Sequence, residues 1–593
     1  MGVGRLKVSV HTGEDALPIE NADVLIKDKK GDVLYNLKTD ESGNTDTVEL
    51  YAPERIHTLN PNDPGPYYAT YDVSVSHARE YATSVINDVQ IFDGISSTLP
   101  VNLLPSPGIE GDFVSLYYVE PGELHSEPIR QQVGDDPVSA VNPAVLREVF
   151  IPDFITVHLG RPDQYGRNVR VKFTDYIKNV ASSEIYPTWP TNALIANIYA
   201  IITFALNRVY TEWYRSRRYD FDITNSTAYD MAFSEGRNIF DNISVIVDNI
   251  FNQYVRRIGR REPFFTSFCN GTTAQCRGLS QWGTVTLANQ GLNPLQILRY
   301  YYPRDIEIVE TNNIAGITST YPGTAQREGM TSEAVRRMQN YLNRIRANYP
   351  AIPVISNPNG FFGPDTTAAV REFQRIFGMT RDGIIGKDTW YKIINIYVGV
   401  TKLAELESEG ERIGIGLAPP TSVLRLGSKG ADVIELQFIL NFISMFYPTV
   451  PSVIQDGTYR ETTRDAVINF QRTFGLLQDG IVGPRTWEML YQIYRRIENT
   501  IQPTPPVTPP TTPPVYPGVF LRVGSRGSNV LFMQQSLNKI GETYTAIPRL
   551  STDGVFGPET ERAVIAFQRI FNLTPDGIIG PLTWNAIVRE ATS

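Results

Sequence analysis

The chain has 593 residues, 41% hydrophobic and 20% charged, the make-up of a multidomain soluble protein with ample core. Its net charge of −9 argues against a nucleic-acid partner, which selects a basic face. The two cysteines, Cys269 and Cys276, are too few for a disulfide framework, and the five histidines lie scattered without HxH or HExxH spacing, so no histidine-built metal site and no cofactor is expected.

The first residues, Met1-Gly-Val-Gly-Arg-Leu-Lys-Val-Ser-Val10, contain no apolar core of a signal peptide and lack the Ser or Thr of a myristoylation site. Residues 3–105 alternate with period two, as in Leu6-Lys-Val-Ser-Val10, Asp23-Val-Leu-Ile-Lys27 and Tyr71-Asp-Val-Ser-Val75. Turns fall at Lys30-Gly31-Asp32 and Glu41-Ser-Gly-Asn44, which predicts an antiparallel β-sandwich of about seven strands. Residues 106–144 turn to Pro, Gly and Asp, the composition of an exposed linker open to proteolysis.

The stretch Lys172 to Pro190 reads as a helix, with Thr174 as candidate N-cap and Pro187 and Pro190 forcing a stop. Ile177, Ala181 and Glu184 share one face of it. Glu184 is then a carboxylate in the last turn of an apolar stripe, where desolvation and the negative end of the helix dipole raise its pKa. A carboxylic acid kept protonated near neutral pH is what a glycosidic general acid requires. The plainer alternative is a helix-end glutamate in solvent or paired with an arginine.

Thr191 can cap a second, buried helix running to about Arg215, whose apolar run over residues 193–206 is too short for a membrane span. A strand and loop follow at residues 219–227. A long helix carrying Ile243, Ile246, Val247, Ile250, Phe251 and Tyr254 then precedes Pro263.

Residues 324–590 are a triple repeat. Trp390, Trp487 and Trp584 recur every 97 residues, as do Phe373, Phe470 and Phe567, each followed by Gln-Arg. Asp382-Gly, Asp479-Gly and Asp576-Gly keep the same period. Repeats two and three open alike, with Leu424-Arg-Leu-Gly and Leu521-Arg-Val-Gly, whereas repeat one lacks that opening and has Asn359-Gly in place of Asp456-Gly and Asp553-Gly. Each unit reads as three helices with the Phe and Trp in the core. Between the last two lies a proline-rich spacer, residues 501–518, extended at about 3.1 Å per residue. Tandem modules of this kind raise residence on a polymer through effective concentration.

Several motifs resemble known families. Ser182-Ser-Glu-Ile-Tyr-Pro-Thr-Trp-Pro190, Asn192-Ala-Leu-Ile-Ala-Asn197, Gly278-Leu-Ser-Gln-Trp-Gly283 and Ile297-Leu-Arg-Tyr-Tyr-Tyr-Pro303 stand in the order of the SpoIID family. That resemblance implies a lytic transglycosylase of peptidoglycan with Glu184 as catalytic acid. Ser280 and Gln281 are candidates for substrate or transition-state hydrogen bonding, and Tyr301 or Tyr302 for stacking on a sugar or packing in the core.

Some members hold zinc with two cysteines and a neighbouring histidine. Here Gln275 stands before Cys276, so a disulfide or two thiols is expected instead. The family's lysine, glutamine and arginine on the second helix are replaced by Ile195, Asn197 and Ile202. Residues 16–43 are similar to carboxypeptidase-regulatory-like domains, and the repeats closely resemble peptidoglycan-binding domain type 1.

The predicted architecture is therefore a multidomain one: an all-β sandwich (1–105), a linker (106–144), an α+β SpoIID-like catalytic domain (145–312), and three-helix repeats at 324–397, 422–497 and 519–590. That order resembles clostridial spore-cortex-lytic enzymes of the SleC type. The resemblance implies a spore location, cortex glycan as partner, and removal of the N-terminal region by a subtilisin-like protease between Glu127 and Pro143, near Gln132 and Val133.

A two-carboxylate glycosidase is an alternative, with Asp220, Asp222 or Asp230 as second group. So is a catalytically silent wall-binding scaffold.

Overall fold

The computed structural model describes residues 2–77, 81–106, 114–122, 124–125, 148–273, 278–315, 321–413, 419–501, 516, 520–550, 552, 554–571 and 573–592. The chain falls into two compact units, residues 1–403 with 444–452, and residues 404–443 with 453–593.

In the first unit the period-two segments form two sheets. One holds Gly2–Thr12 at its centre, parallel to Ser96–Asn102 and antiparallel to Val48–Ala52 and Leu17–Pro18. The other runs Val33–Lys38, Asp23–Lys27, Ala69–Ser76, Thr83–Ile91, Val114–Tyr118. Alternate residues Leu6, Val8, Val10, Val24, Ile26, Val73 and Val75 are fully buried in one core, as the alternation required.

The strands number nine rather than about seven. The last, Val114–Tyr118, lies in the stretch read as linker and pairs in parallel with Thr83–Asn87. Flanking Pro and Gly hid this five-residue alternation. The central part of the chain also contributes to the first sheet, where Ile239–Phe240 pairs with Ser97 and Thr98.

Five helices dominate the central part: α1 (Phe173–Glu184), α2 (Thr191–Tyr210), α3 (Asp241–Ile250), α4 (Gln281–Asn289) and α5 (Pro294–Tyr301). The α1 helix starts two residues earlier than a Thr174 cap implies, with Lys172 at the N-cap, and no side chain caps it. Pro190 precedes α2, so Thr191 is its first residue and not its cap. The α2 helix also ends at Tyr210, short of Arg215.

By length and composition the helix from Thr191 is apolar enough to cross a membrane, contrary to the count from residues 193–206. However, 83% of its apolar window is buried inside the protein. The expected long third helix stops at Ile250. Asn252, fully buried, donates to Thr311 O at 2.9 Å, and Tyr254 belongs to the strand Gln253–Arg257 paired with Ile306–Glu310.

Each repeat has three helices: Glu333–Ile345, Pro364–Ile376 and Lys387–Ile413; Ala431–Ser444, Glu461–Thr473 and Pro484–Ile501; Ser528–Thr543, Pro558–Ile570 and Pro581–Thr592. The recurrent Phe373, Phe470, Phe567 and Trp390, Trp487, Trp584 are buried. The glutamine after each Phe is buried too, and it holds the Asp-Gly turn. Gln471 Nε2 donates to Asp479 Oδ1 (2.9 Å) and Ile481 O (3.0 Å), while its Oε1 accepts from Gly480 N (2.9 Å). Gln374 and Gln568 repeat these bonds. Apart from Tyr516, the proline-rich spacer's central residues 502–515 and 517–518 lie outside the described residues.

Candidate functional site

The end of α1 carries Glu184 into the interior, where it is fully buried and neither solvent-facing nor paired with an arginine. Its Oε1 accepts from Ala232 N–H at 2.8 Å and lies 3.2 Å from His125 Nδ1. Gln281 Nε2 donates to the Glu184 carbonyl at 3.0 Å and lies 3.4 Å from Oε2. Gln281 thus reaches the carboxylate itself.

The Gly278–Gly283 motif is explained residue by residue. Ser280 caps α4, its hydroxyl accepting from Gly283 N at 3.0 Å. Trp282 packs on Trp189 and Tyr186, with ring centroids 5.1 and 6.1 Å apart. Gly283 leaves room for Tyr301, since a Cβ there would sit 1.8 Å from the tyrosine hydroxyl. Tyr301 is half-buried, and burial pushes its phenol up to about 12 against a weaker opposing bond from Ser280. Tyr302 is buried and donates to Ser267 O at 2.9 Å, which is the core-packing alternative.

The three rival carboxylates differ. Asp230 is fully buried and saturated: Arg208 Nε donates at 2.8 Å, Tyr214 OH at 2.6 Å, Thr224 N at 3.0 Å and Thr224 Oγ1 at 2.8 Å. Asp222 is held by Arg215 Nε (2.9 Å) and Thr156 N (2.8 Å). Asp220 is exposed.

Cys269 is disulfide-bonded and buried, whereas Cys276 lies outside the described residues. Among the described residues no group of three or more His, Cys, Asp or Glu side chains could hold a metal. Asn197, where the family's polar helix residues were sought, donates to Thr284 Oγ1 at 2.8 Å and so ties α2 to α4.

Sequence reasoning missed the N-terminal side of the site. Trp189 Nε1 donates to Thr58 O at 3.0 Å, the hydroxyls of Thr58 and Thr188 meet at 2.6 Å, and Tyr67 packs on Tyr186 at 5.2 Å. Residues 119–125, apart from the undescribed residue 123, run over Glu184. Glu120 N donates to Ser234 Oγ (3.0 Å) and Glu120 O accepts from Arg237 Nη2 (2.6 Å). His125 N donates to Gln281 Oε1 (3.0 Å), and His125 O accepts from Asn270 N (2.8 Å). The one signal for this was a histidine set in a Pro- and Gly-rich stretch. Gln132 and Val133 lie outside the described residues.

Comparison with known proteins bears on the repeats. Residues 331–393, 429–490 and 526–587 match the family model of the peptidoglycan binding domain. All three repeats are thus similar to that domain. A "Probable N-acetylmuramoyl-L-alanine amidase" of Bacillus licheniformis is 30% identical over 174 residues, 28% of this chain and 45% of the relative. A zinc D-Ala-D-Ala carboxypeptidase of Streptomyces albus G is 40% identical over 77 residues, 13% of this chain and 28% of the relative. A spore cortex-lytic enzyme of Bacillus cereus is 37% identical over 78 residues, again 13% and 28%. The chain thus spans less than half the length of these curated relatives. No solved structure matches it.

Proposed function

We propose that this chain is a peptidoglycan-cleaving enzyme of the cell wall or spore cortex, a lytic transglycosylase of SpoIID type with Glu184 as its acid. The relatives' names span an amidase, a carboxypeptidase and a cortex-lytic enzyme, so their common ground is the wall and not one reaction. The observation that carries the reading is a fully buried glutamate whose rival carboxylates are either saturated by neighbours or exposed. A hydrolase needs two working carboxylates. A transglycosylase works with one, because the substrate's own C6 hydroxyl is the nucleophile.

In that scheme the Glu184 carboxylic acid gives its proton to the glycosidic oxygen as the bond to C1 of the muramic sugar breaks. The resulting carboxylate then takes the proton of the C6 hydroxyl as O6 bonds to C1. The product is a 1,6-anhydro sugar and the glutamate is returned protonated. Gln281 positions the carboxylate. Ser280 serves through the α4 cap, and Tyr301 stands beside it. Residues 145–312 are the catalytic domain in this reading, and cutting near Gln132 and Val133 by a subtilisin-like protease activates it.

Digestion of purified cortex by residues 145–593, with a Glu184→Gln control, tests the proposal by mass spectrometry of released fragments. Anhydro-ended products are expected, falling about 100- to 10,000-fold in the variant. Reducing-end products would refute the transglycosylase.

A further inference from the structure

Around Glu184 the segment 119–125 behaves as a ligand. Leu124 and His125 are buried, although their neighbours in sequence are the Pro- and Gly-rich stretch, whereas Val119 still belongs to the core of the N-terminal sheets. Every bond that seats His125 comes from a residue of the candidate site: the side chain meets the Glu184 carboxylate, its N–H is taken by the Gln281 amide oxygen, and its carbonyl by Asn270 N–H. Phe268 packs edge-on against the imidazole with centroids 5.2 Å apart. A glycan oxygen cannot approach a carboxylate that carries an imidazole 3.2 Å away in a fully closed pocket.

Around the same pocket, polar atoms are left over. His125 Nε2, Tyr176 OH and Arg237 Nη1 are buried without a hydrogen-bond partner among the described residues. Arg237 is nine-tenths or more buried, and its Nε already holds Ser183 Oγ at 3.0 Å, next to Glu184.

We infer that segment 119–125 is an internal competitor of substrate, latched on Glu184 by His125, and that Gln281 Oε1 and Asn270 N–H are the groups that receive the substrate's amide when the segment leaves. The ligand class follows from what the pair now holds. One acceptor and one donor flank the acid and grip an N–H and a C=O, which a 2-acetamido sugar, or a lactam formed from one, also presents. The inference deepens the proposed reading of Glu184 and rests on it for the identity of the ligand, not for the existence of the latch.

The test uses the full chain, uncut, as wild type, as His125→Ala and as Leu124→Gly/His125→Gly. The probe is a tetrasaccharide of alternating N-acetylglucosamine and N-acetylmuramic acid. Hydrogen exchange of the backbone amides of residues 264–273, which include Asn270, reads binding at this pocket alone and ignores binding to the repeats.

A segment that leaves the pocket open about 1–10% of the time weakens apparent affinity roughly 10- to 100-fold. The loosened chains should therefore show faster exchange at Asn270 without saccharide. They should also be protected by saccharide at concentrations roughly 10- to 100-fold below those the wild type needs. Adding Gln281→Leu to His125→Ala should remove that protection.

Asn270 exchange that stays as slow in both variants as in the wild type, without saccharide, overturns the latch; faster exchange with no gain in saccharide protection overturns the assignment of the amide ligand. Protection that survives Gln281→Leu overturns the assignment of the amide contact. If the protection pattern is as expected but no chain cleaves cortex, the transglycosylase reading fails and the latch stands. Thermal melting of the three chains shows that the loosened ones remain folded, and the single His125→Ala suffices should the double variant unfold.

Discussion

Asp230→Asn separates a structural carboxylate from a catalytic one. Asp230 is enclosed by four donors, and its partner Arg208 is itself buried, with the guanidinium over the Trp213 ring at 4.5 Å and Nη2 on Tyr229 O at 3.1 Å. The asparagine keeps the shape but removes the charge, and its NH₂ replaces an oxygen among two obligate donors, Arg208 Nε and Thr224 N, and two hydroxyls that must turn round to accept from it. Removing one partner of a buried pair costs about 3–5 kcal/mol, because the remaining charge stays buried without compensation. For a unit of about 400 residues, with about 2.1 cal/mol/K of unfolding entropy per residue, each kcal/mol lowers Tm by about 1 °C, so the expected drop is roughly 3–6 °C. The assay is calorimetric melting alongside cortex cleavage at a temperature below both transitions. Cleavage should persist where the variant is folded. A variant that melts with the wild type yet has lost cleavage would make Asp230 a working second carboxylate and refute the single-carboxylate argument.

Three smaller outcomes follow from the same geometry. Gln471→Leu leaves Gly480 N–H and Ile481 O without the buried amide that holds them, which should cost about 2–4 kcal/mol and appear as faster hydrogen exchange over the Asp479-Gly480 turn. Gly283→Ala drives a Cβ into the Tyr301 hydroxyl, so it should destabilise by about 1–3 kcal/mol, and less in a Tyr301→Phe background; equal costs in the two backgrounds would refute the steric argument. His11 is fully buried and its pKa is lowered by desolvation, with Asp15 opposing and Lys392 and Lys7 assisting. The unfolded chain then takes up a proton below pH about 6.5 that the folded chain refuses, so stability at this residue is present above that pH and lost as pH falls through it. Urea titrations between pH 7 and 5 should show a flatter pH slope for His11→Gln than for the wild type.

The sequence made some of this legible and hid the rest for physical reasons. The spacing of Ile177, Ala181 and Glu184 put the glutamate on an apolar face, but the structure buries every residue from Tyr176 to Glu184, so the whole end of the helix, and not one face of it, lies in the core. The 97-residue period announced the repeats. It also contained Gln374, Gln471 and Gln568, but hydropathy ranks a glutamine as surface, and only a turn of backbone needing a two-sided partner puts it in the core. The run from Ile243 to Tyr254 misled because strand Gln253–Arg257 continues the apolar pattern past Asn252, where the helix has ended. Ser280 looked like a ligand for sugar because it stands in a motif, and its bond to Gly283 N shows a cap. His125 was invisible, since no local pattern tells a chain segment that its partner lies 59 residues further on.

The N-terminal part holds repeat one as well as the site. Tyr349, fully buried, donates to Asp15 O at 2.5 Å; Lys402 pairs with Glu14 at 3.3 Å; Asn44 Nδ2 donates to Ile376 O at 3.1 Å. Repeat one also departs from the shared opening. Its bridge to Ile385 is made by Gln326 where Leu424 and Leu521 serve in the other two, and its outer face is shaped to a protein neighbour. If residues 1–125 leave, as the proposed activation requires, the same event that uncovers Glu184 also uncovers Tyr349 and the Phe377 ring beside it, 5.1 Å away. One cleavage would thereby expose both the acid and a face of repeat one.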